Sequence, residues 1–154
     1  MEFGIRLAGD RTALCMSHRG EYAQIGQTFT NLADWLSGNP VEHGLGIAIY
    51  YDDPTETPAD QLRSDAGVLV NSHLAAGGSN LHVVHIPAGE FAVGEFVGHY
   101  RGLGAAWSEM FGVLLPKSGR TFAETPPFEI YVDDCAVVPE DKLRTELWIR
   151  LLPQ

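Results

Sequence analysis

The chain has 154 residues, 45 % hydrophobic and 19 % charged, a globular composition that excludes a disordered chain. Its net charge of −10, with no basic run to offset it, argues against direct nucleic-acid binding. No apolar stretch approaches the roughly 18 residues that a membrane helix needs. The first residues lack the basic-then-apolar layout of a signal peptide. Cys15 and Cys135 are too few for a disulfide framework and lack metal-ligand spacing. The expectation is a single domain over 1–154 that is reduced, soluble and cytoplasmic, with no membrane partner and no cofactor.

In chain order, short strands are predicted near Phe3–Leu7 and Thr12–His18. A helix follows from about Tyr22 to Ser37, because Ile25, Phe29, Leu32, Trp35 and Leu36 recur at helical spacing. Gly38-Asn39-Pro40 should end it with a left-handed glycine and a proline that cannot continue the helix. A strand near Leu45–Tyr51 runs into the Asp52-Asp53-Pro54 turn. Thr57-Pro58-Ala59-Asp60 reads as a one-turn helix with Thr57 as cap and Pro58 in its first position. Ala66–Val70 is the next strand. Gly77-Gly78-Ser79-Asn80 reads as a hinge-like link. Strands at Leu81–Ile86 and Phe91–Val97, a helix from about Tyr100 to Leu115 stopped by Pro116 and Gly119, and strands at Phe128–Val132 and Leu147–Leu151 complete the chain.

These elements repeat. A shift of 81 positions lays Ile49-Tyr50-Tyr51-Asp52-Asp53 on Ile130-Tyr131-Val132-Asp133-Asp134, and Pro58 through Asp65 on Pro139 through Glu146. A shift of 78 lays Gly20-Glu21-Tyr22 on Gly98-His99-Tyr100, and Phe29 on Trp107. Three matches in one order at nearly one offset point to a duplication, with repeats at about 1–76 and 81–154. The expected class is α+β: two strand–helix–strand–strand units sharing an antiparallel sheet, two helices on one face, and a ligand cleft on the pseudo-twofold axis.

Strand alternation sorts the side chains. Glu129 and Tyr131 share one face, and the repeat places Ala48 and Tyr50 at the matching positions. A carboxylate inside an apolar strand in one repeat only is the most informative asymmetry of the sequence. Two readings stay open for it, a solvated strand face or a carboxylate turned to a ligand. Tyr22, Tyr100 and Trp107 fall at helix starts or on helices, and Tyr50 and Tyr131 on the paired strands. Aromatic faces around a carboxylate suit a flat cationic organic ligand, each ring adding about 0.5–2 kcal/mol. Burial of Glu129 should raise its pKa. Trp35 reads as core, while Trp148 fits either core or site.

Other candidates weaken. His82 and His85 are three apart on a strand and so point to opposite faces, which does not make a metal site; surface or hydrogen-bonding roles fit His18 and His99 better than ligation. The Asp52-Asp53 and Asp133-Asp134 pairs are explained by turn hydrogen bonding. No glycine-rich phosphate loop and no nucleophile elbow is present, so the pattern contains no catalytic constellation.

The segments Ile49-Tyr50-Tyr51-Asp52-Asp53-Pro54, Glu56-Thr57-Pro58 and Leu62-Arg63-Ser64-Asp65, with Gly89-Glu90-Phe91-Ala92-Val93 and Pro127-Phe128-Glu129-Ile130-Tyr131, resemble the two signatures of the GyrI-like small-molecule-binding proteins. The resemblance covers nearly the whole chain. It implies the duplicated fold, found also in effector-binding domains of AraC-type and drug-sensing transcription regulators, and it implies that Glu129 lies in the ligand cleft. Members of this length without a DNA-binding domain are similar to the DNA gyrase inhibitory, SbmC-like branch, which implies DNA gyrase as a second possible partner beside a small organic ligand. A subfamily hydrolyses cyclopropane-bearing DNA alkylators, in which case Glu129 would be the catalytic residue. The resemblance leaves binding, gyrase contact and hydrolysis open. The binding reading takes Glu129 as charge partner and Trp107, Tyr100, Tyr22, Tyr131 and Tyr50 as walls.

Overall fold

The computed structural model describes residues 1–71 and 80–154, and most of the expected Gly77–Asn80 link lies outside the described residues. The fold is α+β. Among the described residues are eight strands: β1 (Glu2–Ala8), β2 (Arg11–Arg19), β3 (His43–Tyr50), β4 (Arg63–Val70), β5 (Leu81–Ile86), β6 (Gly89–Val97), β7 (Phe128–Tyr131) and β8 (Arg144–Arg150). Every strand pairing named below is antiparallel. The helices are α1 (Gly26–Gly38), α2 (Leu103–Glu109) and α3 (Leu115–Ser118), the last two joined by a wide π-turn at Met110–Leu114. None of them is long and apolar enough to cross a membrane.

The chain forms two compact units, Asp10–Pro87 and Met1–Gly9 with Ala88–Gln154. In the first, the strands lie in the order β5-β2-β4-β3. In the second the order is β1-β6-β8-β7. The expected strand–helix–strand–strand core is present in both, as β2-α1-β3-β4 and β6-α2/α3-β7-β8. These units do not follow the chain bounds of the sequence repeats at about 1–76 and 81–154: β5 belongs with the first unit and β1 with the second. Side-chain burial decides this. Leu81 packs with Leu14, Leu32 and Val68, and Phe3 packs against the cluster of Ala92, Leu103, Met110 and Leu147. Chain proximity would instead have favoured β1 with β2, which are separated by two residues.

Several local details recur at the sequence offsets. Gly20 N–H donates to Leu62 O at 2.8 Å, and Gly98 N–H to Leu143 O at 2.8 Å. Arg63 grips Asp52 with its backbone N–H, Nε and Nη2, as Arg144 grips Asp133. Single 3₁₀ turns at Ala59–Gln61 and Glu140–Lys142 follow Pro58 and Pro139, each in an extended conformation. Thr57 therefore does not cap a helix as expected. Its N–H bonds Asp53 O instead, because Pro58 is held extended and the turn starts one residue later.

The helix ends also differ from expectation. Gly38 is still helical, and α1 stops at Asn39, whose backbone and side-chain amides both donate to Trp35 O at 3.0 Å. Gly119 does adopt the left-handed conformation, with φ 74°. Pro116 does not stop the second helix. In a continuous α-helix it would press on the carbonyl four residues back. Here it follows the π-turn, where Leu115 N–H reaches Met110 O five residues back.

Candidate functional site

Glu129 sits on β7 opposite Leu147, whose side chain packs in the cluster beneath α2. The carboxylate therefore faces the helix, and only 2 % of the residue is exposed. This overturns the solvated-face reading. The Trp107 indole N–H, from α2, donates to Glu129 Oε1 at 3.3 Å. The Tyr131 hydroxyl, two residues along the same strand face, reaches Oε2 at 3.5 Å. Tyr100, in the 3₁₀ turn that leads into α2, meets the Tyr131 ring edge-on at 5.4 Å. Burial pushes the Tyr100 phenol up to about 12, and the charges of Cys135, Asp133, Asp134 and Glu129 add to the shift.

The structure thus brings together four of the six expected residues: Glu129, Trp107, Tyr131 and Tyr100. Tyr22 and Tyr50 belong to the other unit, with ring centroids 4.7 Å apart. The Tyr22 hydroxyl donates toward the carbonyl oxygens of Asp52 and Arg63 and accepts from the Asp52 N–H. Its phenol is pushed up, chiefly by burial. Tyr22 and Tyr50 match Tyr100 and Tyr131 position for position, so a tyrosine pair is common to both units. Only one unit adds a carboxylate and an indole, where the other has Ala48 and Phe29.

Two aromatic residues extend this group. Phe111 stacks on Trp107 at 5.9 Å and 26°, and Phe122 meets Phe111 edge-on at 5.4 Å. Phe111 lies four residues after Trp107, a helical spacing that could have revealed it. Phe122 sits in an irregular segment with no periodicity to read. Trp148, by contrast, is core: it stacks on Phe128 at 5.7 Å and 9° and meets Phe91 at 5.3 Å.

A second polar cluster forms on the other unit. Asp65, 2 % exposed on β4, accepts from the Tyr51 hydroxyl at 2.5 Å and pairs with His82 Nε2 at 2.9 Å. Burial and the neighbouring Asp65 push both the Tyr51 phenol and the Cys15 thiol far up, which keeps Cys15 a protonated core thiol. His85 turns the other way, to Thr12. His18 contacts Thr28 and the Glu21 carbonyl, and His99 contacts Glu140. Among the described residues no group of three or more His, Cys, Asp or Glu side chains is placed to hold a metal ion.

The family described as the GyrI-like small molecule binding domain matches residues 1–152. The chain belongs to the GyrI-like family. A GyrI-like relative from Escherichia fergusonii, named DNA gyrase inhibitor, is 30 % identical over the full length of both chains. The crystal structure of the EcmrR C-terminal domain shares the GyrI-like fold with a TM-score of 0.83 at 14 % identity, covering 99 % of this chain and 98 % of that one. The structure of SAV2435 bound to tetraphenylphosphonium matches at a TM-score of 0.64 and 14 % identity, covering 99 % and 94 %.

Proposed function

We propose that this GyrI-like protein is a binder of aromatic, often cationic xenobiotics, with Glu129 as charge partner and Trp107, Tyr131 and Tyr100 as walls. The observation that carries the reading is the carboxylate of Glu129, 2 % exposed and within reach of an indole N–H and a phenol. A carboxylate out of water gains strongly from a cation brought to it, since solvent no longer screens the pair. Ring faces add about 0.5–2 kcal/mol each through their quadrupoles. Tyr22 contributes no hydroxyl to this reading, because its own is engaged by Asp52 and Arg63.

The experiment is a thermal-shift titration with tetraphenylphosphonium, the cation in the SAV2435 structure. Ligand at one hundred times its dissociation constant adds about 2.7 kcal/mol to stability. The wild type should shift and Glu129→Gln should not. An equal shift in both would reject Glu129 as the charge partner.

A second reading is contact with DNA gyrase, favoured by the name of the Escherichia fergusonii relative and its identity over the full length. An acidic protein with net charge −10 could meet a basic surface of such a partner. Purified protein would then inhibit supercoiling without any small molecule, and supercoiling unchanged at high micromolar protein would exclude it.

A further inference from the structure

Phe111 and Phe122 are 37 % and 45 % exposed, a high degree of exposure for two adjoining phenylalanines. Neither belongs to a loose segment. Phe111 lies in the π-turn, a feature the 13-residue α1 of the other unit lacks. Such wide turns are frequent at functional sites. Phe122 forms a bridge with Leu151, and its neighbours are fixed by bonds from Ala123 N–H to Arg150 O and from Leu152 N–H to Thr121 O. Arg120, with a side chain 7 % exposed, anchors the same segment to Glu90 at 2.8 Å and to Leu152 O at 3.1 Å. Holding two rings at the surface on a fixed backbone removes the ordering cost that a ligand would otherwise meet.

The exposed rings are continuous with the buried carboxylate. Trp107 gives its N–H to Glu129 and the face of its ring to Phe111, and Phe111 in turn meets Phe122. From these contacts we infer that Phe111 and Phe122 form an apolar shelf that selects ligands carrying a multi-ring aromatic arm beyond the cationic head. The inference rests on Glu129 being the charge partner. A one-ring cation paired with Glu129 has no second ring to lay on the shelf. A fused three-ring cation brings two further ring faces, and laying them on the shelf would remove the exposed phenyl faces from water.

The test compares N-methylpyridinium with N-methylacridinium, which share an N-methylated aromatic nitrogen and differ in the number of fused rings around it, by calorimetric titration of the full chain. Phe111→Ala and Phe122→Ala should each weaken N-methylacridinium about tenfold, within the range of an aromatic contact, and leave N-methylpyridinium within about twofold. Glu129→Gln should weaken both. Phe122→Leu, which keeps apolar bulk, should retain part of the acridinium affinity and guards against a folding defect. If both cations respond to Glu129→Gln and neither responds to the phenylalanine variants, the shelf is wrong and the charge site stands. If only the acridinium binds and Glu129→Gln leaves it unchanged, the charge site is wrong. If the wild type binds neither cation, both fall.

Discussion

The Trp107 indole N–H lies 3.3 Å from Glu129 Oε1 and joins α2 to β7 through a carboxylate that is 2 % exposed. A hydrogen bond contributes about 0.5–1.5 kcal/mol, and about 1.5–3 kcal/mol where one partner is charged. Trp107→Phe should therefore lower stability by about 1–3 kcal/mol in urea unfolding, and adding Glu129→Gln should cost less in that background than in the wild type. Strictly additive losses would show that the two groups are not coupled.

Alkaline stability should report the Tyr100 environment. Its phenol titrates at about 12 in the fold, against about 10 in an unfolded chain. The folded form thus keeps a proton that the unfolded chain releases, and its contribution is complete below about pH 10 and lost as pH rises towards 12. Tyr100→Phe should flatten the fall in stability over that window, as measured by unfolding at stepped pH. A fall as steep as in the wild type would contradict the assignment.

The paired forks Asp52–Arg63 and Asp133–Arg144 act at the other end of the pH scale. Each carboxyl is held below its ordinary range, chiefly by the arginine side-chain hydrogen bonds. A depressed folded value gives stability that is present above about pH 4 and lost as pH falls through the folded value. Asp52→Asn and Asp133→Asn should each reduce the acid-side slope, and by similar amounts because the two forks share one geometry. Only one of them flattening the slope would mean that the forks are not equivalent.

Gly20 and Gly98 hold φ of 122° and 148°, where a side chain is strained, while donating to Leu62 O and Leu143 O. Alanine at either position should cost about 1–2 kcal/mol. Gly98→Ala should cost more, since its Cβ would lie 3.2 Å from Phe96 Cζ whereas a Cβ on Gly20 meets nothing nearer than 4.0 Å. Denaturant midpoints of the two variants check both the size and the order.

What the sequence alone determined is what periodicity and offset encode. Alternation placed Glu129 and Tyr131 on one face, the Ala48/Glu129 mismatch singled out the carboxylate, and helical spacing put Trp35 in the core. Apolar runs bounded by turn residues placed a strand at each of the eight positions where the described residues have one. Tertiary structure decided the remainder. Alternation names a face without saying what covers it, so the burial of Glu129 under α2 needed the packing of Leu147 against the helix. The exchange of β1 and β5 between units depends on where Phe3 and Leu81 find apolar partners, a long-range choice that local pattern does not contain. Phe122 and the Tyr51–Asp65–His82 cluster are likewise assembled from segments distant along the chain. Local propensity is written residue by residue, whereas a site is a coincidence of side chains that only the folded chain brings within reach.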